Sequence, residues 1–121
     1  MQILGTHLLL ELRVCNPALL GDVDYIKKSM MKIALETGAT IIGESFHKFS
    51  LGGVTGVIAI AESHLSIHTW PEHKYAAVDI FTCNKKFISS KAVDLIIDML
   101  ECQDSDIREI KRGIFVNSNE V

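Results

Sequence analysis

The chain has 121 residues, 48% of them hydrophobic and 22% charged, with a formal net charge of -3. That length and balance suit one globular domain, residues 1–121, with a small core, and exclude a disordered chain. The acidic balance gives no electrostatic case for nucleic acid, and no apolar run reaches the roughly 18 residues needed to span a bilayer.

From Gly5 to Cys15, His7, Leu9, Glu11 and Arg13 alternate with Leu8, Leu10, Leu12 and Val14. The alternation predicts a strand with one polar and one apolar face. Asn16-Pro17 ends it, because proline removes a ladder donor and restricts its neighbour. Asp22 caps a predicted helix to about Thr37, with Val23, Ile26, Met30, Ile33, Ala34 and Thr37 on one side. Gly38 is its expected stop, since glycine takes positive φ at no steric cost.

Ala39 to Phe49 is a second predicted strand, and Ser50-Leu51-Gly52-Gly53 a turn. Val54 to Ala61 is a third, with a bulge or a close backbone approach expected at Gly56. Leu65 to Trp70 is a fourth, Pro71 to Lys74 turns the chain, and Tyr75 to Cys83 is a fifth. Asn84-Lys85-Lys86 reads as a loop. A second helix starts at Ser89 or Ser90 and runs to about Glu101, burying Ala92, Leu95, Ile96 and Met99. Ile107 to Val116 is a last strand, placed at a sheet edge by its charges, and Asn117 to Val121 reads as a frayed tail. The expected class is α+β: a two-layer sandwich of an antiparallel-rich sheet with two main helices on one face. The other sheet face then needs a cover, and a second copy of the chain is the simplest supply.

The start of the chain lacks a basic region followed by a cleavage site, so no signal peptide is expected. Cys15, Cys83 and Cys102 are odd in number and have no C-x-x-C spacing. A reducing, cytoplasmic setting with free thiols is the expectation.

The most informative stretch is Ala61-Glu62-Ser63-His64-Leu65-Ser66-Ile67-His68-Thr69-Trp70-Pro71-Glu72. It concentrates reactive side chains that a hairpin core has no use for. A hydrolase triad is not indicated, since no G-x-S-x-G elbow surrounds Ser63. Zinc is not indicated either. His64 and His68 are four apart on extended backbone, which separates them by about 13 Å. No metal is expected.

This stretch, with Tyr75-Ala76-Ala77-Val78-Asp79-Ile80-Phe81-Thr82-Cys83, resembles the prokaryotic S-adenosylmethionine decarboxylases. Those are pyruvoyl enzymes of polyamine synthesis, whose product is the aminopropyl donor for spermidine. The likeness extends to Leu4-Gly5-x-His7, Gly38-Ala39-Thr40, Phe46-His47-Lys48-Phe49 and Gly53-Val54-Thr55-Gly56-Val57, so it covers about residues 4 to 83.

The resemblance implies a self-cleaving proenzyme. The Ser63 hydroxyl would attack the carbonyl of Glu62 and turn the amide into an ester. Loss of the serine α-proton then leaves dehydroalanine, which hydrolyses to a pyruvoyl group. The products would be a β chain, residues 1–62, and an α chain, residues 63–121, the latter capped by the cofactor. His68 is implied as the base for the α-proton, and Thr55 as the hydroxyl that assists ester formation. Decarboxylation would run through a Schiff base on the pyruvoyl carbonyl. Cys83 is implied as the proton donor to the α-carbon, Glu72 as the carboxylate holding the ribose, and Phe49 as the aromatic at the adenine. The partner set is a small-molecule substrate and a second protomer, because the family builds its site in a homodimer.

Read without the resemblance, Ser63 is a turn serine, His68 a core histidine, Cys83 a small buried hydrophobe and Phe49 a packing aromatic. His7 and His47 read as structural, His64 stays open, and Cys15 and Cys102 read as inert. The chain departs from the family at Lys74, where a glycine is usual, at Asn84 after Cys83, and at Ser50-Leu51-Gly52-Gly53. These positions bear on the substrate. Two alternatives therefore stand beside S-adenosylmethionine: decarboxylation of a basic amino acid (ornithine or arginine), and a non-catalytic paralogue that regulates an active relative.

Overall fold

The computed structural model describes residues 2–83 and 89–115. The expected loop at 84–86 and the tail at 117–121 lie outside the described residues. In chain order the elements are β1 (Gln2–Arg13), α1 (Pro17–Leu20), α2 (Val23–Glu36), β2 (Ile41–Lys48), β3 (Val54–Ile60), β4 (Ser63–Trp70), a 3₁₀ turn (Pro71–His73), β5 (Tyr75–Thr82), α3 (Ser89–Met99) and β6 (Asp104–Phe115). The strands form one sheet in the order β2-β3-β4-β5-β1-β6, with every neighbouring pair antiparallel.

Strand alternation decides which face is covered. Leu8, Leu10 and Leu12 of β1, Val54, Ile58 and Ile60 of β3, Leu65 and Ile67 of β4, and Ala76, Val78 and Ile80 of β5 are all buried. They share one core with Ile26, Met30 and Ile33 of α2 and Ala92, Val93 and Ile96 of α3. Each Val, Leu, Ile or Met among them contributes about 1.5–3 kcal/mol when fully buried. The two-layer α+β expectation holds. No described helix is long and apolar enough to cross a membrane.

The caps follow the sequence. Asp22 accepts from the Tyr25 amide at 3.1 Å, and Gly38 takes φ 96° just past the end of α2. The short α1 was not expected. Asn16-Pro17 does end the strand, but it also opens a helix: the Asn16 side chain accepts from Ala18 N and Pro17 stands in the first turn. Thr69, buried in β4, locks α1 down by donating to the Leu20 carbonyl and accepting from the Val54 amide, both at 2.8 Å.

Three strands start earlier than expected: β1, which runs from Gln2 to Arg13 and not from Gly5 to Cys15, β4 and β6. β4 begins at Ser63 and not Leu65, because Ser63 already pairs with Ile60 and Thr82. β6 begins at Asp104 and not Ile107. Nearly all of it is exposed, and it is held by its ladder to β1 and by Arg13, which binds Asp104 at 2.8 Å. It does lie at a sheet edge.

At Gly56 the structure has a close approach and no bulge. The residue pairs with Phe46, whose ring covers it, and a Cβ there would stand 2.2 Å from two ring carbons. Gly56→Ala is expected to cost about 1–3 kcal/mol through displacement of that ring. A urea unfolding midpoint equal to that of the parent chain would contradict this.

Candidate active site

The hairpin between β3 and β4 closes on two residues, Ala61 and Glu62, since Ile60 pairs with Ser63. Two-residue hairpin loops favour residues that tolerate positive φ. Neither Ala61 nor Glu62 adopts it; Ser63 does, at φ 149°. Backbone strain is therefore placed on the residue whose bond to Glu62 is expected to break.

The preceding carbonyl is held from two sides. Cys83 donates to Glu62 O from its amide at 3.0 Å and from its thiol at 3.1 Å. The register explains the meeting: Ser63 pairs with Thr82 across β4 and β5, so Cys83 faces Glu62. The Glu62 carboxylate accepts from Thr40 N at 3.0 Å, and Ala61 N donates to Thr40 O at 2.8 Å. The turn is thus tied on both flanks. Two donors on one carbonyl oxygen are what a developing oxyanion requires.

Thr55 and His68 also meet. They are register partners on β3 and β4, with Thr55 Oγ1 and His68 Nδ1 3.2 Å apart. They do not meet Ser63. His68 is five residues along β4 from Ser63, about 17 Å at strand rise. Phe49 and Glu72 are at the His68 end too. Phe49 follows β2 and stands edge-on to His47 at 4.6 Å, and Glu72 sits in the 3₁₀ turn straight after β4. Both are exposed. The expected site residues therefore fall into two groups at opposite ends of one hairpin: Glu62, Ser63 and Cys83, and then Thr55, His68, Phe49 and Glu72. Lys74 closes the turn with φ 52°, which accounts for the glycine usual there.

The uncovered sheet face joins the two groups. His64 and His68 both lie on it, so the strand assignment keeps their imidazoles apart. Beside the Ser63 end, His7, His64 and Phe81 form a ring cluster with centroids 5.4–6.1 Å apart, and Arg112 stands 5.6 Å over Phe81. Arg112 Nη1 is 3.4 Å from His7 Nδ1. A guanidinium only donates, so His7 Nδ1 is the acceptor in this contact. This cluster was missed in the sequence, since its members come from β1, β4, β5 and β6. Midway along the face is a cavity of about 430 Å³ lined by Leu9, Glu11, Arg13, Asp79, Asp106 and Arg108. It contains none of the expected site residues. At its margin the Tyr75 hydroxyl donates to Glu11, and burial, then that bond, push the phenol up to about 12. Val57, Trp70 and Ile110 on this face are large hydrophobics left 40–43% exposed.

Comparison with known proteins agrees with this fold. The family model described as S-adenosylmethionine decarboxylase matches residues 6–113. The S-adenosylmethionine decarboxylase proenzyme of Thermodesulfovibrio yellowstonii is 48% identical over 99% of this chain and 89% of its own. That of Acetivibrio thermocellus is 45% identical over 95% and 93%. The crystal structure of the adenosylmethionine decarboxylase from Aquifex aeolicus superposes with a TM-score of 0.89 at 34% identity, covering 95% of each chain. With the match running through both ends of the hairpin and all six strands, the chain belongs to the S-adenosylmethionine decarboxylase family.

Proposed function

We propose that the chain cleaves itself between Glu62 and Ser63 and, once processed, removes the α-carboxyl group of S-adenosylmethionine as a carboxy-lyase. One observation carries the reading: the Glu62 carbonyl receives two hydrogen bonds from Cys83 while the adjacent Ser63 holds φ 149°. The Ser63 hydroxyl attacks that carbonyl, and the oxyanion gathers on the Cys83 donors. Collapse breaks the C–N bond and leaves an ester with a free Ser63 amine. Removal of the Ser63 α-proton breaks the Cβ–O bond, releasing Glu62 as a carboxylate and residue 63 as dehydroalanine. Water then replaces its nitrogen, which leaves as ammonia. The pyruvoyl group so made would supply the carbonyl that serves as electron sink for loss of CO₂ from the substrate.

The base for the α-proton is His68, oriented by Thr55. Since about 17 Å of strand separates this pair from Ser63 in one protomer, they serve the Ser63 of a second copy. A two-fold axis through the open sheet face brings the Ser63 end of one copy to the His68 end of the other. Glu72 and Phe49 come with His68: the carboxylate accepts from the ribose hydroxyls and the ring stacks on adenine. After cleavage the Cys83 thiol is released from the Glu62 carbonyl and hands its proton to the substrate α-carbon. The working unit is a homodimer of processed chains, and the three free thiols suit a cytoplasmic setting.

The test combines mass and activity. Denaturing mass spectrometry is expected to give two fragments that divide before Ser63, and CO₂ release is expected from S-adenosylmethionine. An intact chain after long incubation, or release from ornithine or arginine alone, would overturn the reading.

A further inference from the structure

Two cysteines outside the site meet across the sheet. At and just past the end of the β1–β6 ladder, residues 13–16 and 100–104 lie side by side. Arg13 pairs with Asp104, Gln103 N donates to Val14 O at 3.3 Å, and Asn16 N donates to Leu100 O at 3.0 Å. Cys15 and Cys102 lie on these two segments, and Cys102 is a side-chain hydrogen-bond neighbour of Cys15. The Cys15 amide donates to Lys74 O at 2.9 Å. The thiols converge on one stretch of main chain: Cys15 donates to Leu12 O at 3.5 Å, and Cys102 approaches Arg13 O at 3.3 Å and Asp104 O at 3.2 Å.

We propose that Cys15 and Cys102 are an oxidisable pair whose disulfide joins the two chains produced by self-cleavage. Cys15 lies in residues 1–62 and Cys102 in residues 63–121, so the consequence for two chains rests on the cleavage proposed above. The disulfide itself does not. Once the Glu62–Ser63 bond is gone, this link is the covalent connection between the halves.

The chemistry is exchange with a small disulfide such as oxidised glutathione. The half-buried Cys102, as thiolate, attacks one glutathione sulfur and expels a glutathione thiolate. The Cys15 thiolate then attacks the Cys102 sulfur of the mixed disulfide and expels the second. Two electrons pass to glutathione and two protons to solvent. Burial first, and then the neighbouring Cys102, push the Cys15 thiol up to about 12. Closure needs the Cys15 thiolate and so quickens as pH rises. Cys83 does not compete within the protomer, because it sits at the far end of β5 from Lys74.

The experiment incubates the purified protein with oxidised glutathione, blocks free thiols, and separates it by denaturing electrophoresis with and without reductant. One full-length band without reductant and two fragments with it are expected. Cys102→Ser is expected to give two fragments in both lanes. Two fragments in both lanes for the parent protein, with Cys15 and Cys102 both carrying the blocking group, would overturn the proposal. A single parent band in both lanes means that cleavage has failed. A proteolytic digest then decides the pair: a reductant-sensitive peptide containing Cys15 and Cys102 supports it, and its absence overturns it.

Discussion

Ser63→Ala is expected to leave the chain in one piece and to abolish decarboxylation. The loss is complete, because the hydroxyl is both the attacking group and the source of the carbonyl that later takes the substrate amine. Removing it deletes the cofactor together with the nucleophile. The fold survives, since alanine keeps the Cβ and the flanking ties do not involve the serine side chain. Ala61 remains bonded to Thr40, and Cys83 still reaches the Glu62 carbonyl. The strain at φ 149° is no worse for alanine than for serine. The variant is checked by intact mass, by trapping with a hydrazine or with borohydride, and by CO₂ release. One mass, no trapped carbonyl and no CO₂ are expected, with an unfolding midpoint close to that of uncleaved parent protein. A cleaved variant, or an active uncleaved parent, would remove the pyruvoyl mechanism and leave only the fold.

The periodic parts of this architecture were legible in the sequence. Leu8, Leu10 and Leu12 announced a half-buried strand, and Asp22 and Gly38 marked the ends of α2, because burial and capping act on neighbours in sequence. β6 was read short since its ladder to β1 is long-range and its side chains stay exposed. The site was legible as a set of residues but not as an arrangement. Ser63, His68, Cys83, Thr55, Glu72 and Phe49 are all named by the resemblance, yet spacing alone does not say which of them meet. Register supplies that. Thr82 opposite Ser63 brings Cys83 to the Glu62 carbonyl, where the proposed self-cleavage would use its thiol and amide as well as the later turnover. The same register puts Thr55 and His68 at the other end.

That separation predicts complementation between two dead variants. His68→Ala and Ser63→Ala each stay uncleaved when made alone, one lacking the base at every site and the other the hydroxyl. Made together, they form mixed dimers in which one site has Ser63 from the His68→Ala chain and His68 from the Ser63→Ala chain. That site is complete, so the His68→Ala chain is cut. With random pairing, about half of the His68→Ala chains are cleaved, and the Ser63→Ala chains never are. Mass spectrometry assigns the fragments to their parent through a tag on one chain. If the base acted within its own protomer, no pairing of these variants would rescue cleavage. The same outcome follows if the open face carrying Val57, Trp70 and Ile110 never meets a second copy, and an analytical ultracentrifuge separates the two cases: a dimer without rescue places the base in its own chain, and a monomer removes the composite site. Rescue requires that the 17 Å of strand, about five residue rises, be crossed by symmetry and not by movement within one chain.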